Sequence, residues 1–328
     1  MIIACSPLRI SIGGGGTDLP SYYRRFGGDL IAVAIDKYIY VTVTEPFFPG
    51  IYLKYSALEK VERVEDVQHN ILREALRDFL PNGGVPAVEI TTLADVPAGT
   101  GLGSSSSFTC ALLQALSAHW HKFLDRQQLA ELACTIEIDR LGAPIGKQDQ
   151  YAATFGGFRR YVFNSDDTVT IRELKIGREK LAMLEDSLLL FFTGKTRAAG
   201  DILAEQKSRT EGADEAMLAN LHEVKTIGRE IGAALEAGDF ASYGELMHRH
   251  WMRKQERSKS IANPRIAEIY EYARGHGAAG GKLVGAGGGG FLLFYAPEPN
   301  RLRRAMEGKG LRELRFGFDQ SGTRILET

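Results

Sequence analysis

The sequence lacks the features that mark membrane and extracellular proteins. No apolar run reaches the roughly 18 residues of a transmembrane helix, and no basic-then-apolar leader precedes a small-residue cleavage site. Its three cysteines, Cys5, Cys110 and Cys134, are odd in number, widely spaced and form no CxxC pair, so a disulfide framework is not indicated. We therefore expect buried thiols and a soluble protein in a reducing cytoplasm.

The chain also lacks an excess of charge of either sign. Forty Lys and Arg residues stand against 41 Asp and Glu residues, which leaves a formal net charge of -1. This balance gives no overall electrostatic reason to expect a nucleic acid or an anionic membrane as a partner, so any anion-binding site must be local.

Glycine, by contrast, is abundant. The chain has 37 glycines in 328 residues, which is about 11% where about 7% is usual. The excess falls into three runs, at residues 13–16, 99–103 and 280–290, inside an otherwise average composition. Scattered glycines would indicate flexible linkers, whereas tight runs indicate backbone that lies close to a ligand.

Hydrophobic periodicity alternates between strand and helix character along the chain, which predicts a mixed α+β class. The length favours two domains, and we place their boundary near residue 180, giving 1–180 and 181–328. The predicted strands are 2–12, 30–35, 38–43, 88–92, 158–163, 188–193 and 291–295. The predicted helices are 66–80, one from 104, 127–140, 198–209, 214–236, 240–261 and 264–276.

The second glycine run belongs to a candidate phosphate site. The segment PAGTGLGSSSS at 97–107 links a strand to a helix, with glycines in the loop and four serines at the helix start. Helix N-termini carry unpaired N–H groups and partial positive charge, and glycines let the backbone approach a phosphate closely. A serine cap after a tight turn is the simpler alternative, and Ser104 fits that role. A Walker A loop is not indicated, because no Gly-Lys-Ser/Thr triplet ends the run.

The third glycine run contains a formal dinucleotide fingerprint, Gly285-x-Gly287-x-x-Gly290. A Rossmann unit needs a helix after these glycines and then a second strand. Here the strand-like segment 291–295 follows directly, and only 33 residues remain after it. We therefore interpret the run as a turn between two strands and not as a nucleotide site.

The first glycine run leads into Thr17 and Asp18, within the segment SPLRISIGGGGTD at 6–18. A loop aspartate can accept two hydroxyl protons at once, which suits a polyol ligand, and an Asx turn is the alternative. Arg9 is a charged residue on a mainly apolar strand. We interpret it as functional or salt-bridged.

These three segments resemble the three motifs of the GHMP kinase superfamily, to which galactokinase, homoserine kinase, mevalonate kinase and phosphomevalonate kinase belong. PAGTGLGSSSS is similar to the central motif, the segment ending in Thr17-Asp18 to the first, and the third glycine run to the C-terminal one. The resemblance implies a kinase that uses ATP and Mg²⁺. It also implies a ribosomal-protein-S5-like N-terminal domain and a ferredoxin-like C-terminal domain, with the active site between them.

The same resemblance assigns roles to individual residues. It implies that Ser105 and Glu137 hold Mg²⁺, that Asp149 is the base for the acceptor hydroxyl, and that Arg9 stabilises charge near Asp149. A surface position for Glu137 and a helix cap for Asp149 are the alternatives. The implied nucleotide-binding residues are Pro97, Gly99, Gly101, Leu102, Gly103, Ser104, Ser105 and Ser106, and the implied substrate-binding residues are Gly15, Gly16, Thr17, Asp18, Gly287 and Gly288.

Within the superfamily the chain is most similar to the D-glycero-D-manno-heptose 7-phosphate kinases. The similarity implies transfer of the ATP γ-phosphate to the C1 hydroxyl of the heptose 7-phosphate, for a nucleotide-activated heptose and surface polysaccharide. A substrate that already carries a phosphate needs a second anion site, and Lys147, Lys195 and Arg197 are candidates; a solvated side chain is the alternative for each. The segments that carry the similarity are GGGGTDLPSYY (13–23), AGTGLGSSSSF (98–108), GKQDQYAATFGG (146–157), FFTGKTRAAGDILAEQ (191–206) and GGKLVGAGGGGFLLFY (280–295).

Three rival functions stay open: a kinase for an unphosphorylated sugar of the fucose or glucuronate type, a kinase-derived sugar sensor, and, more remotely, a dinucleotide-dependent oxidoreductase. The expected partners are ATP and a sugar phosphate, with no nucleic acid or membrane, and a homodimer is the candidate assembly.

His248 and His250 lie two residues apart on a predicted helix, so they face different sides and do not suggest a metal pair. The segment 255–257 in the same helix is unusually polar, and no role is assigned to it.

Overall fold

The strands form two sheets in the computed structural model, which describes residues 1–80, 86–196, 200–258, 260–261 and 263–327. In chain order the strands are β1 (Ile2–Gly13), β2 (Gly28–Thr44), β3 (Gly50–Lys54), β4 (Leu58–Val61), β5 (Ala87–Ala94), β6 (Phe158–Phe163), β7 (Val169–Glu173), β8 (Leu188–Phe192), β9 (Gly280–Leu283), β10 (Phe291–Tyr295), β11 (Glu313–Leu314) and β12 (Arg324–Glu327).

Among the described residues, helices occur in both halves of the chain, and four of them connect β8 to β9. The helices are α1 (Pro20–Phe26), α2 (Asn70–Phe79), α3 (Ser104–His119), α4 (Arg126–Cys134), α5 (Gln148–Phe155), α6 (Arg178–Ser187), α7 (Gly200–Glu211), α8 (Glu215–Ala237), α9 (Phe240–Glu256), α10 (Pro264–Gly275) and α11 (Pro299–Gly308). Several begin at a side-chain cap, which satisfies a backbone N–H that the helix leaves unpaired. The caps of α4, α8, α9 and α10 are Asp125, Asp214, Asp239 and Asn263.

The first sheet has the order β12-β1-β2-β5-β3-β4. Strand β2 is long enough to take two partners on one side: its first part pairs with β6 and its last part with β5. All pairs in this sheet are antiparallel except β3 with β5. The long β1–β2 pair therefore forms the centre on which the surrounding helices pack.

The second sheet has the order β11-β8-β10-β9, and its pairs are antiparallel. In chain order this is strand, helices, two strands, helix, strand, with the last strand beside the first. That is the β-α-β-β-α-β arrangement of ferredoxin-like folds, enlarged by extra helices. The final strand β12 leaves this sheet and pairs with β1, so the end of the chain returns to the first sheet. The boundary near residue 180 stays a prediction.

The core is built where α3 and α8 pack on β1 and β2. Leu8, Ile10 and Ile12 are fully buried in it. Because successive strand residues point to opposite faces, Arg9 and Ser11 point away from these three side chains. Apolar and polar residues thus alternate along this part of β1. The apolar side chains anchor the strand in the core, and the polar ones point toward a different part of the molecule.

Glycine at positions 13 and 14 lets α8 approach β1 closely. An added Cβ on Gly228 of α8 would lie 2.8 Å from Gly14 N, and one on Gly13 would lie 3.1 Å from Gly228 Cα. Gly14 has a φ of +79°, and an added Cβ there would lie 2.1 Å from the carbonyl oxygen of Asp29. The first half of the first glycine run is therefore needed for packing between helix and strand.

The structure corrects several predicted boundaries. Residues 30–43 belong to one continuous strand, and the helix predicted over 240–261 ends at Glu256. The helix predicted over 127–140 is α4 followed by a π-helical segment, Thr135–Arg140. Short elements such as α1, β3 and β4 were missed, because five or so residues give too little periodicity to detect. All three cysteines are buried and free, as predicted.

In the described part of the chain, no helix combines the length and the hydropathy needed to cross a lipid bilayer.

The contact between α8 and the first glycine run is tested by replacing Gly228 with alanine. Alanine favours a helix over glycine by roughly 0.5–1 kcal/mol, but here its methyl group would meet the backbone of Gly14. Overpacking of this kind costs about 1–3 kcal/mol. We expect Gly228→Ala to lower the free energy of unfolding measured with urea.

The matched control is Gly308→Ala, at the exposed end of α11, where an added Cβ would meet nothing within 4 Å. This variant should be neutral or slightly stabilising. If both variants raise the free energy of unfolding, helix α8 does not need a glycine at this contact.

Candidate active site

Helix α3 begins directly after a left-handed glycine loop. Gly99, Gly101 and Gly103 have φ values of +75°, +85° and +79°, a region that side-chain-bearing residues rarely adopt. Gly103 is the N-cap residue and makes no side-chain cap, and the first turn contains no acidic residue. The unpaired N–H groups and the helix dipole therefore give this end of α3 a positive potential.

The serines at the start of α3 have different surroundings. Ser107 is fully buried and donates a hydrogen bond to the carbonyl of Pro7 at 2.8 Å, so its role is structural. The buried hydroxyl of Ser104 has no hydrogen-bond partner among the described residues. Ser105 Oγ donates to Glu137 Oε1 at 2.8 Å. Together with Ser106, Ser104 and Ser105 line a large cleft.

Two residues predicted to bind the nucleotide instead support the loop. Leu102 is fully buried, and its carbonyl accepts a hydrogen bond from Arg9 N at 3.0 Å. The carbonyl of Pro97 accepts one from Thr100 Oγ1 at 3.1 Å. Neither residue is among the described residues that line the large cleft, whereas Gly99, Gly101 and Gly103 all line it.

Glu137 lies on the π-helical segment after α4 and is 2% exposed. Such segments change the direction in which side chains leave a helix and are frequent at functional sites. Besides Ser105, the carboxylate accepts a hydrogen bond from Gln150 Nε2 at 2.8 Å. Burial raises the pKa of Glu137 above its ordinary value, and these two hydrogen bonds oppose that rise. The alternative of a surface acid is therefore wrong for this residue.

Ser105 and Glu137 fit a magnesium ion that is shared with phosphates. Mg²⁺ prefers hard oxygen ligands and is usually held by one or two protein side chains together with waters and substrate phosphates. Within the described residues no group of three or more His, Cys, Asp or Glu side chains could hold a metal. A hydroxyl and a buried carboxylate beside the N-terminus of α3 supply oxygen ligands where the phosphates would lie.

Asp149 and Arg9 form a two-point ion pair. Arg9 Nε donates to Asp149 Oδ1 at 2.7 Å, and Arg9 Nη2 donates to Oδ2 at 2.6 Å. The third guanidinium nitrogen, Nη1, donates to the carbonyl of Gly101 at 2.6 Å. The Arg9 side chain is 5% exposed and that of Asp149 is 24% exposed. Asp149 thus keeps a face toward solvent while both of its oxygens are held in place.

The third glycine run packs directly on the second. An added Cβ on Gly285 would lie 2.6 Å from Gly101 Cα, and one on Gly290 would lie 2.2 Å from the carbonyl oxygen of Thr100. The run connects β9 to β10 within the second sheet. The interpretation as a turn between strands is therefore right, and the turn brings the second sheet against the loop before α3.

Two pockets meet at the ion pair. The large cleft extends from the start of α3 past the aromatic side chains of Tyr55, His69 and Phe108. A second, smaller space, which we call the polar pocket, contains Asp18. The described residues that line both spaces are Arg9, Ile145, Asp149, Leu203, Gly285 and Ala286. Asp149 is therefore accessible from both sides.

Asp18 is 6% exposed and lines the polar pocket beside Gly15 and Gly16. Its Oδ1 accepts a hydrogen bond from Gly16 N at 3.0 Å, and its Oδ2 accepts one from Gln148 N at 3.3 Å. Burial raises the pKa of Asp18, and the charge of Asp149 raises it further. An added Cβ on Gly146 would lie 2.1 Å from Asp18 Oδ2, so glycine is required there. No pattern in the sequence signals that contact.

The polar pocket also contains basic residues that sequence analysis missed. His250, Lys254, Arg257 and Lys282 line it, and all four are buried. The sequence contains only two signals of these residues. One is the polar segment 255–257 at the end of a long helix, and the other is Lys282 within the glycine-rich segment 280–283. As predicted, the neighbouring His248 faces elsewhere: its Nδ1 shares a hydrogen bond with Tyr270 Oη.

Several predicted substrate residues do not line the polar pocket in the described part of the chain. The hydroxyl of Thr17 donates to the carbonyl of Gly14 at 2.8 Å. Gly287 lies on the large cleft, and the N–H of Gly288 donates to the carbonyl of Ile261 at 2.9 Å.

Two of the three residues predicted for the second anion site, Lys147 and Lys195, do not line the polar pocket. Lys147 is neither solvated nor in the polar pocket: it is 8% exposed and its Nζ contacts Glu131 Oε2 at 3.0 Å. Its charge is thus already compensated. Lys195 is exposed and lines a separate small pocket beside Arg265. Arg197 lies outside the described residues.

Two protein-family models match the chain. The model described as "GHMP kinases N terminal domain" covers residues 70–157, and the one described as "GHMP kinases C terminal" covers residues 233–311. A D-glycero-alpha-D-manno-heptose 7-phosphate kinase of Campylobacter jejuni is 32% identical over 301 residues, which is 88% of each chain.

Two further relatives bear on the substrate and on the fold. The L-fucokinase/L-fucose-1-P guanylyltransferase of Bacteroides fragilis is 26% identical over 92% of this chain and 35% of that protein. A crystal structure of a D-glycero-D-manno-heptose 1-phosphate kinase from Bacteroides thetaiotaomicron has a TM-score of 0.81 at 27% identity, and the match covers 100% of this chain and 99% of that one. This structural match confirms the predicted α+β fold.

The environment of Glu137 predicts how stability depends on pH. Because burial raises its pKa, folding favours the protonated carboxyl, and ionised Glu137 costs stability as pH rises above its ordinary pKa of 4.5. Glu137→Gln removes that cost and keeps a carbonyl acceptor for Ser105. Without ligands, the variant should be more stable than the parent at about pH 8, and this difference should shrink toward about pH 5. Urea unfolding across this range measures it.

Glu211→Gln, at the exposed end of α7, is the control and should show no such trend. A Glu137→Gln variant that is less stable than the parent throughout this range would mean that the Ser105 and Gln150 hydrogen bonds outweigh the burial penalty.

Proposed function

We propose that this chain, which belongs to the GHMP kinase family and is therefore a phosphotransferase, transfers the γ-phosphate of ATP to the C1 hydroxyl of D-glycero-D-manno-heptose 7-phosphate, giving the 1,7-bisphosphate. The observation that carries the proposal is the position of Asp149 and Arg9 on the wall shared by the large cleft and the polar pocket. A phosphoryl group on one side and a hydroxyl on the other could meet only at such a point.

The large cleft suits ATP. The start of α3 offers N–H groups and the unpartnered hydroxyl of Ser104 to the phosphates. The aromatic side chains of Tyr55, His69 and Phe108 offer flat apolar surface to a nucleotide base, and the His69 ring contacts the other two edge-on. Ser105 and Glu137 would hold Mg²⁺, which when bound neutralises part of the phosphate charge.

The polar pocket suits a sugar. Each Asp18 carboxylate oxygen accepts one backbone hydrogen bond and retains a lone pair for a hydroxyl. The Ser11 hydroxyl and Gln148 Oε1 are buried, line the same pocket and have no partner among the described residues. Polar groups in this state favour a ligand rich in hydroxyl groups, because they would otherwise stay unsatisfied.

Asp149 acts as the general base. It accepts the proton of the acceptor hydroxyl while the hydroxyl oxygen forms a bond to the γ-phosphorus and the bond from that phosphorus to the ADP oxygen breaks. Arg9 and Gln148 Nε2 hold the carboxylate so that its lone pairs face the acceptor. Arg9 also carries positive charge beside the transferred group, which favours the transition state.

The heptose phosphate is favoured over a free sugar by two observations. The relative that is 32% identical over 88% of this chain is a heptose 7-phosphate kinase, and the structural relative is described as a heptose 1-phosphate kinase. Both names describe a heptose that carries one phosphate. The 26% identity to a fucokinase supports the competing proposal of an unphosphorylated acceptor.

The product would carry a phosphate on C1 of the sugar. A phosphate at this position suits activation by a nucleotide and later use of the heptose in surface polysaccharide. We place it in the cytoplasm, where ATP is available, and we keep a homodimer as the expected assembly.

The substrate assignment is tested by turnover with ATP and Mg²⁺, comparing the free heptose with its 7-phosphate. We expect kcat/KM to be higher for the 7-phosphate, and the new phosphate to appear on C1 in the phosphorus NMR spectrum of the product. A preference for the free sugar would support the fucokinase-like alternative, and no turnover with either would support the sensor. The dinucleotide alternative requires that NAD, and not ATP, raise the melting temperature.

The role of Asp149 is tested with Asp149→Asn. This variant keeps the shape of the side chain but cannot accept the proton, so we expect kcat to fall at least about a hundredfold while ATP binding is retained. The control is Asp139→Asn, at an exposed aspartate near Glu137. Near-normal turnover by Asp149→Asn would remove this residue from the chemistry.

A further inference from the structure

The polar pocket contains more positive charge than its carboxylates compensate. Arg9, Lys254, Arg257 and Lys282 line it together with His250, and each of the five is at most 6% exposed. Burial lowers the pKa of His250 well below its ordinary value, so this histidine adds no charge at neutral pH. Of the two carboxylates that line it, Asp149 is already paired with Arg9, which leaves Asp18. A buried cation without a counter-charge is costly, because it loses its hydration and gains no Coulomb attraction.

The hydrogen bonds of Arg257 and Lys282 go to neutral groups. Arg257 donates to Asn220 Oδ1 and to the carbonyl of Gly15, both at 2.9 Å. Lys282 Nζ donates to the carbonyl of Ile12 at 3.3 Å. Among the described residues, no carboxylate forms an ion pair with Lys254, Arg257 or Lys282. The positive charge is therefore available to a ligand.

Burial and mutual repulsion already weaken the protonated forms. Burial, together with the charges of Arg257 and Arg9, lowers the pKa of Lys282 to about 7. Burial likewise lowers the pKa of Arg257 to about 10. An anion in the pocket would favour the charged forms of both side chains.

Unpartnered donors in the same pocket point to an oxygen-rich anion. Arg257 Nη2 is buried without a hydrogen-bond partner in the described structure, and so are both ring nitrogens of His250, one of which is a donor in the neutral imidazole. A guanidinium that has a free N–H group can bind phosphate oxygens with good geometry, which lysine alone does less well. Lys254 is less free, because its Nζ contacts the carbonyls of Leu283 and Gly285 and so supports the third glycine run.

We propose that the polar pocket binds the phosphate that the sugar substrate already carries, with Arg257 and Lys282 as its main charge partners. The identity of the sugar rests on the proposed function, whereas the preference for a phosphate-like anion rests on these residues alone. The site replaces Lys147, Lys195 and Arg197 as the second anion site.

The phosphates of the nucleotide are a poorer fit to these side chains. Arg257, Lys282 and His250 line the polar pocket but are absent from the described lining of the large cleft. The start of α3, which suits the nucleotide phosphates, lies on that cleft. The anion in the polar pocket therefore arrives with the acceptor and not with ATP.

The preference for a phosphorylated acceptor follows from the unpaired cations. A free sugar leaves Arg257 and Lys282 buried without a counter-charge, while a sugar phosphate pairs with them. A site built around buried polar groups strongly rejects an analogue that lacks the matching group, because the polar groups of the protein then stay unpaired. The pocket should therefore set the ratio of kcat/KM between the two sugars.

Arg257→Met tests the proposal, since methionine keeps the apolar stem and removes the charge. The ratio of kcat/KM for the heptose 7-phosphate to that for the free heptose should fall about 10- to 100-fold, as expected for a lost charged hydrogen bond. Arg257→Lys should recover part of it. Lys195→Met, at an exposed lysine outside the polar pocket, is the control and should leave the ratio unchanged. An unchanged ratio in Arg257→Met, or a collapse in Lys195→Met instead, would overturn the assignment.

A binding measurement separates this proposal from the proposed function. With the nucleotide site saturated by ADP and Mg²⁺, inorganic phosphate should raise the melting temperature of the parent protein and should fail to do so in Arg257→Met. This result would support the anion site even if neither sugar were turned over. Equal stabilisation of both proteins by phosphate would contradict it.

A folding control keeps the test decisive. Arg257→Met should still be stabilised by ADP and Mg²⁺, which shows an intact large cleft. If Arg257→Met does not fold, Lys282→Met carries the same two measurements, because Lys282 Nζ makes a single hydrogen bond among the described residues, to the carbonyl of Ile12. A Lys282→Met protein that keeps both the substrate ratio and the phosphate response would then overturn the proposal.

Discussion

The ion pair between Arg9 and Asp149 joins the parts of the molecule that form the candidate active site. Arg9 comes from the central strand β1, Asp149 from the first turn of α5, and the remaining guanidinium nitrogen binds the carbonyl of Gly101 in the loop before α3. One buried side chain thus fixes the relative positions of a strand, a loop and a helix. Because charge-assisted two-point contacts are strong and directional, the carboxylate has one orientation, and it is reached from both pockets.

The glycine runs make that arrangement possible by letting backbone segments touch. Gly285 lies against Gly101, Gly290 against Thr100, and Gly228 of α8 against Gly14. At each of these contacts an added Cβ would lie less than 3.0 Å from a backbone atom. The excess of glycine therefore serves close packing between the two sheets and their helices as much as it serves ligand binding.

The two sides of the site differ in charge. On the large cleft, Glu137 beside Ser105 places an acid near the start of a helix that lacks acids of its own in the first turn. In the polar pocket the order is reversed, since the buried cations outnumber the carboxylates. Buried charges of this kind are stabilised only by a partner, so each side is suited to a ligand of complementary charge.

The sequence alone determined the fold class and the glycine loop before α3, and it pointed to Ser105, Glu137, Asp149 and Arg9, which the structure places on one cleft. These residues lie in short segments whose pattern and family resemblance can be read locally. The sequence did not determine which side chains share a pocket. Lys147 looked available but pairs with Glu131. Arg257, directly after α9, and Lys282, on β9, are far from Asp18 in the chain but line the same pocket. Contacts between distant segments depend on how helices pack on the sheets, and only the tertiary structure decides that packing.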